Sequence, residues 1–163
     1  MYSEYSGVNL SLLHFILINF TTLEDSKSTE EFYELSYYTL GHKDMGYFTH
    51  QHIVNAYQAQ TADKDTKPIA ITFALVGLYL YLEKGYSGRQ VQLAHMRIAE
   101  NKKIWPDFDL PQDRGRINIS DVLHVEPGDQ RDWLIKEWCQ SVWASYVNCY
   151  KVVEDLACIE LGI

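Results

Sequence analysis

The chain has 163 residues, of which 47% are hydrophobic and 22% are charged, so it can bury the core of one globular domain and is not disordered. Fourteen Lys and Arg residues against 22 Asp and Glu residues give a net charge of −8 at pH 7. This acidic balance excludes nucleic acids and anionic membranes as partners, because both would repel the chain. We expect one domain over residues 1–163, whose partner is a small molecule or another protein.

Residues 8–20 form the first apolar segment. Their periodicity fits a helix, but part of the segment fits a buried strand, and both alternatives stay open. No basic residue precedes the segment and no small-residue cleavage site follows it, so we do not expect a signal peptide. The next helix is predicted over residues 29–40, because Ser28 and Glu31 have the spacing of a capping box and Gly41 suits the position after a helix.

A third helix is predicted over residues 45–60. Six side chains fall within one arc of about 100° and are expected to face the core: His50, Ile53, Val54, Tyr57, Gln60 and Thr61. The polar residues Gln51, Asn55 and Gln58 are expected elsewhere on the helix surface. The pattern therefore predicts a helix with one inward face.

Residues 68–84 carry the clearest helix pattern. Pro68 suits the first turn, Gly85 follows the last periodic residue, and apolar side chains cover nearly all faces between them. At about 1.5 Å per residue the apolar run Ile69–Leu82 is about 21 Å long, which is too short for a hydrocarbon core of about 30 Å. A helix of this kind belongs at the centre of a bundle.

A second capping box, formed by Ser87 and Gln90, opens a fifth helix that is predicted to end near residue 102. Prolines and turn residues then predict an irregular connection over residues 103–128. Three of its side chains are expected to pack on the bundle: Trp105, Phe108 and Leu110. The alternation of Ile117 and Ile119 with polar residues predicts a short extended piece inside this connection.

One long amphipathic helix is predicted from Asp129 to Leu161. Nine side chains fall on its inward face: Ile135, Trp138, Cys139, Val142, Tyr146, Cys149, Tyr150, Val153 and Leu156. Together the segments predict an all-α, compact bundle of five to six helices around the central helix over residues 68–84.

The three cysteines, Cys139, Cys149 and Cys158, all fall on this last helix. On a continuous helix Cys139 and Cys149 are about 15 Å apart, whereas a disulfide needs Cα atoms within about 7 Å. An odd, unpaired set is typical of reduced thiols. Together with the poor signal peptide, this indicates a cytoplasmic protein.

Few patterns in the chain are typical of catalysis. His50 and His52 point about 200° apart on a helix, so they do not easily bind one metal ion. Residues 107–109 begin like a calcium loop, but Gln112 stands where the loop needs glycine and Asn118 where it needs a bidentate glutamate. No phosphate-binding glycine loop, nucleophile elbow or Cys-x-x-Cys pair occurs. We predict no catalytic residue, no metal ligand and no cofactor, and whether the chain is an enzyme stays open.

One ligand pocket can be assembled between the third and last helices. Its side chains are aromatic or polar: His50, Tyr57, Gln60, Trp138, Trp143 and Tyr146. Because buried polar atoms need partners, we expect His50 to hydrogen-bond across the gap between the two helices or to trapped water. An aromatic ladder of this kind is also typical of an ordinary core, and both interpretations stay open.

Four blocks of the sequence resemble a family of small helical bacterial proteins of unknown function. HQHIVNAYQAQ at 50–60 is similar to the pattern H-x-x-x-V-D-A-Y-x-x-Q-H-P, and LVGLYLYLEKG at 75–85 is similar to H-L-x-G-L-x-x-x-L-E-x-G. ISDV at 119–122 and WCQSVWA at 138–144 resemble T-x-x-D-V and W-A-x-S-V-W-x-A-W. The resemblance covers about 45–155 and implies a helical fold, without implying an activity.

The chain departs from this family pattern mainly where the pattern has histidines. The departing residues are Asn55 in place of Asp, Thr61 and Ala74 in place of His, and Asn148, Cys149 and Tyr150 in place of a His-rich tail. If the family histidines form a metal site, only His50, Gln60 and Glu83 remain of it here. We therefore favour a small-ligand-binding or protein-interaction module without catalysis. The alternative is a metal-assisted hydrolase or transferase on a helical bundle with a degenerate metal site.

Overall fold

A computed structural model of the chain describes residues 26–42, 48–101 and 104–163. Within these ranges it contains seven α-helices, one short 3-10 helix and no β-strand. The α-helices are α1 (Ser26–Leu40), α2 (Thr49–Thr61), α3 (Pro68–Leu82), α4 (Gly88–Asn101), α5 (Ile119–His124), α6 (Asp129–Ser145) and α7 (Tyr150–Leu161); the 3-10 helix is Val147–Cys149. The predicted all-α class is confirmed, with slightly more helices than the five to six predicted. The segment 8–20 lies outside the described residues.

Helix α1 begins three residues before the predicted start at residue 29. Ser28 lies inside the helix, and its hydroxyl is hydrogen-bonded to Tyr57 Oη of α2 at 3.0 Å. Both carboxylate oxygens of Glu31 lie 2.7 Å from Ser120 Oγ of α5, which donates to them. The predicted capping box is therefore wrong, because its two side chains bond to neighbouring helices and connect α1 to the bundle.

Helix α2 is enclosed by four other helices, α1, α3, α4 and α6. Every residue from His50 to Ala59 is buried, including Gln51, Asn55 and Gln58, so burial is not confined to the predicted inward arc. Gln51 Nε2 donates to Asn55 Oδ1 at 3.1 Å, which pairs two of these polar groups within the helix. The hydrophobic pattern shows one inward face because the remaining contacts of α2 involve polar side chains.

Helix α3 is the apolar central helix that the sequence predicts. Pro68 occupies its first turn, every residue from Ile71 to Leu80 is buried, and Gly85 beyond its end has a φ of 70°. Glycine adopts this left-handed conformation without a steric penalty.

Helix α4 begins with the predicted capping box, since Ser87 N donates to Gln90 Oε1 at 2.8 Å and Gln90 N donates to Ser87 Oγ at 3.3 Å.

The connection between α4 and α6 is largely irregular, as predicted, but it contains the short helix α5. Three of its side chains are half-buried against the core, also as predicted: Trp105, Phe108 and Leu110. The extended piece predicted around Ile117 and Ile119 is wrong. Asn118 and Asp121 form a reciprocal capping box, and the helix starts at Ile119. Two apolar residues are too few to distinguish alternation from the first turn of a helix.

The long helix predicted from Asp129 to Leu161 is interrupted. Helix α6 ends at Ser145, the 3-10 turn follows, and Cys149 N donates to Tyr146 O at 2.8 Å before α7 begins. The predicted inward side chains are nevertheless all buried, apart from the half-buried Tyr150. A three-residue 3-10 turn changes the direction of the inward face only modestly, so the apolar periodicity continues across the break.

The buried apolar side chains of these helices form one core cluster. Cys139 and Cys149 are buried and Cys158 is exposed, and all three thiols are free. Among the described residues, no helix combines the length and the apolar character that a membrane span requires.

Candidate functional site

The six residues of the predicted pocket lie on and around α2 and α6. These two helices pack against each other, as the sequence predicts. Gln60 and Trp138 form a hydrogen bond between them, and Tyr146 bonds to the α2 backbone beside Gln60. The other three residues bond to different elements. The structure thus brings three of the six together at the end of α2.

Both the oxygen and the nitrogen of the Gln60 side-chain amide are hydrogen-bonded to protein groups. Its Oε1 accepts from Trp138 Nε1 at 2.9 Å, and its Nε2 donates to the carbonyl oxygens of Arg114 at 3.1 Å and Ile117 at 2.8 Å. Gln60 therefore fastens the irregular connection to α2 and α6. No side-chain donor of Gln60 is left for a ligand.

Tyr146 makes a second contact of this kind. Its buried hydroxyl donates to Ala59 O at 2.6 Å. Burial raises the pKa of Tyr146 to about 12, against a smaller opposite effect of the Arg114 charge. The phenol is therefore protonated at neutral pH and acts as a fixed donor to the end of α2.

His50 and Tyr57 face α1 and not α6. Thr39 Oγ1 donates to Leu35 O at 3.1 Å, so it accepts from the Nδ1–H of His50 at 3.0 Å. The expected bond from His50 across the gap between α2 and α6, or to water, is therefore replaced by a bond to α1. Tyr57 stacks on Phe32 with ring centroids 4.4 Å apart. Burial lowers the pKa of His50 to about 4, so its ring is neutral at pH 7.

Trp143 lies at a separate contact near the end of α3. Its Nε1 donates to Glu83 Oε1 at 3.0 Å, and its ring stacks on Tyr150 at 4.2 Å. The predicted residues therefore form three separate contacts in the described structure. Their role in ligand binding stays a prediction.

An open cleft lies on the other side of the Gln60 contact, between the loop after α2 and the irregular connection. Its volume is about 500 Å³, within the range of small-molecule sites. Its lining combines charged residues with an apolar surface: Asp63, Lys64, Thr66, Pro68, Ile71, Asp107, Phe108, Asp109, Leu110 and Arg114. None of the six predicted pocket residues lines it.

Asp63 is held in place by the loop that carries it. Thr66 Oγ1 donates to Asp63 Oδ1 at 2.7 Å, and the backbone N–H of Asp65 donates to the same oxygen at 3.0 Å. The Thr66 bond, the loop backbone and the charge of Arg114 lower the pKa of Asp63. Asp63 is therefore a fixed negative charge in the cleft lining at neutral pH.

Arg114 connects the cleft to the Gln60 contact. Its Nη1 donates to Gln60 O at 3.2 Å, while its own carbonyl accepts from Gln60 Nε2. Its buried Nε has no hydrogen-bond partner among the described residues. The guanidinium is thus anchored at one nitrogen and keeps donors that the protein does not use.

Metal ligands do not converge in the described part of the chain, where no group of three or more His, Cys, Asp and Glu side chains could hold an ion. His50 and Gln60 are ten residues apart on α2, or about 15 Å, and cannot share an ion. His52 stacks on Tyr81 with ring centroids 3.6 Å apart, so the two histidines face different helices, as predicted. The residues that remain of the family pattern do not fit a metal centre here.

The fold and the cleft define the class of the molecule: an all-α bundle with a charged surface cleft beside its irregular connection. A model of a family of unknown function, DUF5946, matches residues 24–147, and the chain belongs to this family. The match begins before the first resembling block and ends after the last. No curated protein and no solved structure matches the chain.

Two of the resembling blocks form α2 and α3 and meet at Asn55 and Gly77. A Cβ atom built on Gly77 would come within 2.5 Å of Asn55 Cγ and closer still to Asn55 Nδ2. Glycine at 77 therefore makes room for the side chain at 55. Asn55 Nδ2 itself is buried and has no hydrogen-bond partner among the described residues.

The sequence interpretation missed the cleft. The sequence pattern predicts that Phe108 packs on the bundle and that Asp107 and Asp109 do not belong to a calcium loop, and it predicts no role for Arg114. A signal was present, because charged side chains are concentrated in two turn segments, 63–67 and 107–116. Their proximity depends on how the connection folds back over α2, which no local pattern encodes.

Proposed function

We propose that the protein binds a small molecule in the cleft and does not catalyse a reaction. The observation that carries this proposal is the contrast between the two candidate places. At the interior pocket the polar atoms of Gln60, Trp138 and Tyr146 are bonded to protein groups. In the cleft, the carboxylates of Asp107 and Asp109 bond to no protein group in the described part of the chain, and apolar side chains share the lining, which is the usual composition of a ligand site.

The titratable groups support binding without catalysis. The described groups whose pKa is moved furthest, among them His50, His95, Cys139 and Tyr146, do not line the cleft. Catalytic acids and bases are usually groups with strongly shifted pKa values beside the substrate. Asp63, whose pKa is shifted downward, is a weaker base than an ordinary carboxylate.

The proposal includes neither a resident metal nor a cofactor, and it places the protein in the cytoplasm. Free thiols at Cys139, Cys149 and Cys158 suit a reducing compartment. The net charge of −8 makes nucleic acid and anionic membranes poor partners.

A thermal-shift screen with a small-molecule library tests the proposal on a matched pair of variants. Asp109 and Asp113 are both exposed aspartates of the same connection, but only Asp109 lines the cleft. We expect Asp109→Trp, which fills the cleft, to lose the stabilising hits of the unchanged protein, and Asp113→Trp to keep them. Hits that survive in Asp109→Trp, or a screen without any hit, would refute the proposed site.

A further inference from the structure

We infer that the cleft selects a zwitterion of amino-acid type with an apolar side chain. The inference rests on the proposed function, since it names the ligand class of the same site. Its basis is that the cleft lining holds separate groups for an anion, a cation and an apolar side chain.

Arg114 provides the anion-binding end. The bond from Nη1 to Gln60 O fixes the guanidinium at the cleft lining, and the buried Nε has no hydrogen-bond partner among the described residues. A guanidinium has five N–H donors in one plane, which match the two oxygens of a carboxylate. Lys64 adds a second positive charge to the lining.

Asp107 and Asp109 provide the cation-binding end. Asp63 Oδ1 is already occupied by its own loop, through Thr66 and the Asp65 N–H. The carboxylates of Asp107 and Asp109 bond to no side chain or backbone group in the described part of the chain, and both line the cleft. Together they can accept the three N–H bonds of an ammonium group.

The charge balance favours a ligand with both signs. Three carboxylates and two cationic side chains line the cleft, a net charge of −1. An anion alone would bind at Arg114 and face repulsion from the carboxylates, whereas an amine alone would leave the unused N–H donors of Arg114 without a ligand acceptor. A zwitterion pairs with both ends.

Four of the other lining residues are apolar. Pro68, Ile71, Phe108 and Leu110 form this surface. An apolar or aromatic side chain on the ligand would remove this surface from water, which favours binding. The volume of about 500 Å³ accommodates a molecule of that size.

Isothermal titration calorimetry with three probes that share one phenyl side chain tests the ligand class. Phenylalanine carries both charges, 3-phenylpropanoate only the carboxylate, and phenethylamine only the ammonium group. We expect phenylalanine to bind about tenfold or more tightly than either analogue, because each lost charged hydrogen bond weakens binding by about this factor. If 3-phenylpropanoate or phenethylamine binds as tightly as phenylalanine, the inference of a zwitterionic ligand is overturned and the proposed function stays intact. Absence of binding by all three would also overturn it, while the library screen decides the proposed function separately.

Two variants test which side chains form the anion-binding end and the cation-binding end of the cleft. Arg114→Gln should weaken the binding of phenylalanine and of 3-phenylpropanoate about tenfold and leave the binding of phenethylamine unchanged. Asp109→Asn should instead weaken the binding of phenylalanine and of phenethylamine. Arg116→Gln and Asp113→Asn are the controls, since both residues are exposed and neither lines the cleft. If Arg114→Gln fails to fold, the Asp109→Asn comparison still decides. Equal effects of a variant and its control would contradict the assignment.

Discussion

Gln60 illustrates how a residue can match a ligand-site pattern and still serve the fold. Its position on the inward arc of α2 is correctly predicted from spacing, but spacing does not reveal what the amide meets. The partners are Trp138 Nε1 and two backbone carbonyls, more than fifty residues away in the chain. Such distant partners are decided by tertiary packing and cannot be inferred from local sequence.

We predict that Gln60→Ala destabilises the protein by about 1–3 kcal/mol, because it removes a half-buried amide and leaves Trp138 Nε1 and the Ile117 carbonyl without partners. Urea unfolding monitored by Trp fluorescence measures the change. Gln60→Glu is the matched control: it keeps the acceptor for Trp138, loses both donors, and should also destabilise. A loss below about 0.5 kcal/mol in Gln60→Ala would show that these bonds contribute little.

Burial of His95 makes the stability of the folded protein depend on pH. His95 is buried, stacked on Phe73 with ring centroids 4.7 Å apart, and burial lowers its pKa from 6.5 to about 4. Well above pH 6.5 neither the folded nor the unfolded chain protonates this ring. Between pH 6.5 and 4 the unfolded chain binds the proton and the folded chain does not, so stability falls as the pH falls.

We predict that His95→Phe, which keeps a ring against Phe73, reduces the loss of stability between pH 6.5 and 4 by up to about 3 kcal/mol. Urea unfolding of both proteins across this pH range measures the difference. Parallel stability curves for His95→Phe and the unchanged protein would contradict the burial of a neutral His95.

At the scale of elements, the sequence predicts those helices whose signals are local. The cap residues Pro68 and Gly85 and the box of Ser87 and Gln90 lie within or beside the helices they delimit, so α3 and the start of α4 are placed correctly. The start of α1 is misplaced because Ser28 bonds to Tyr57, a tertiary contact. The break between α6 and α7 is invisible in the hydrophobic pattern, because the inward face continues through it.

The contact between α2 and α3 provides a test at this scale. Because Asn55 occupies the space where a Cβ on Gly77 would lie, Gly77→Ala must displace a buried side chain. We predict a loss of about 1–3 kcal/mol for Gly77→Ala, and a smaller loss when Asn55→Ala is added than the sum of the single losses. A double-mutant cycle by urea unfolding measures the coupling. Strict additivity would mean that the two residues do not compete for this space.

For the whole molecule, Arg114 connects the interior contacts of Gln60 to the cleft. The core and the bonds of Gln60 fix where the irregular connection lies, and the connection places Arg114, Asp107 and Asp109 around the cleft. The hydrophobic pattern predicts the core but not the cleft, because the cleft is formed by charged turn residues without periodicity. We propose that the ligand binds in this cleft and not among the interior aromatic residues.

Solution NMR of the ¹⁵N-labelled protein tests this claim most directly, because Arg Nε–H and Trp Nε1–H groups give separate signals. Phenylalanine is the first probe, titrated into the full chain. We predict that the Arg114 Nε–H signal shifts as phenylalanine is added, until the protein is saturated. The Nε1–H groups of Trp138 and Trp143 are bonded to Gln60 and Glu83, and their signals should shift far less. Shifts of the Trp138 and Trp143 signals with an unchanged Arg114 signal would place the ligand in the interior pocket and contradict the account.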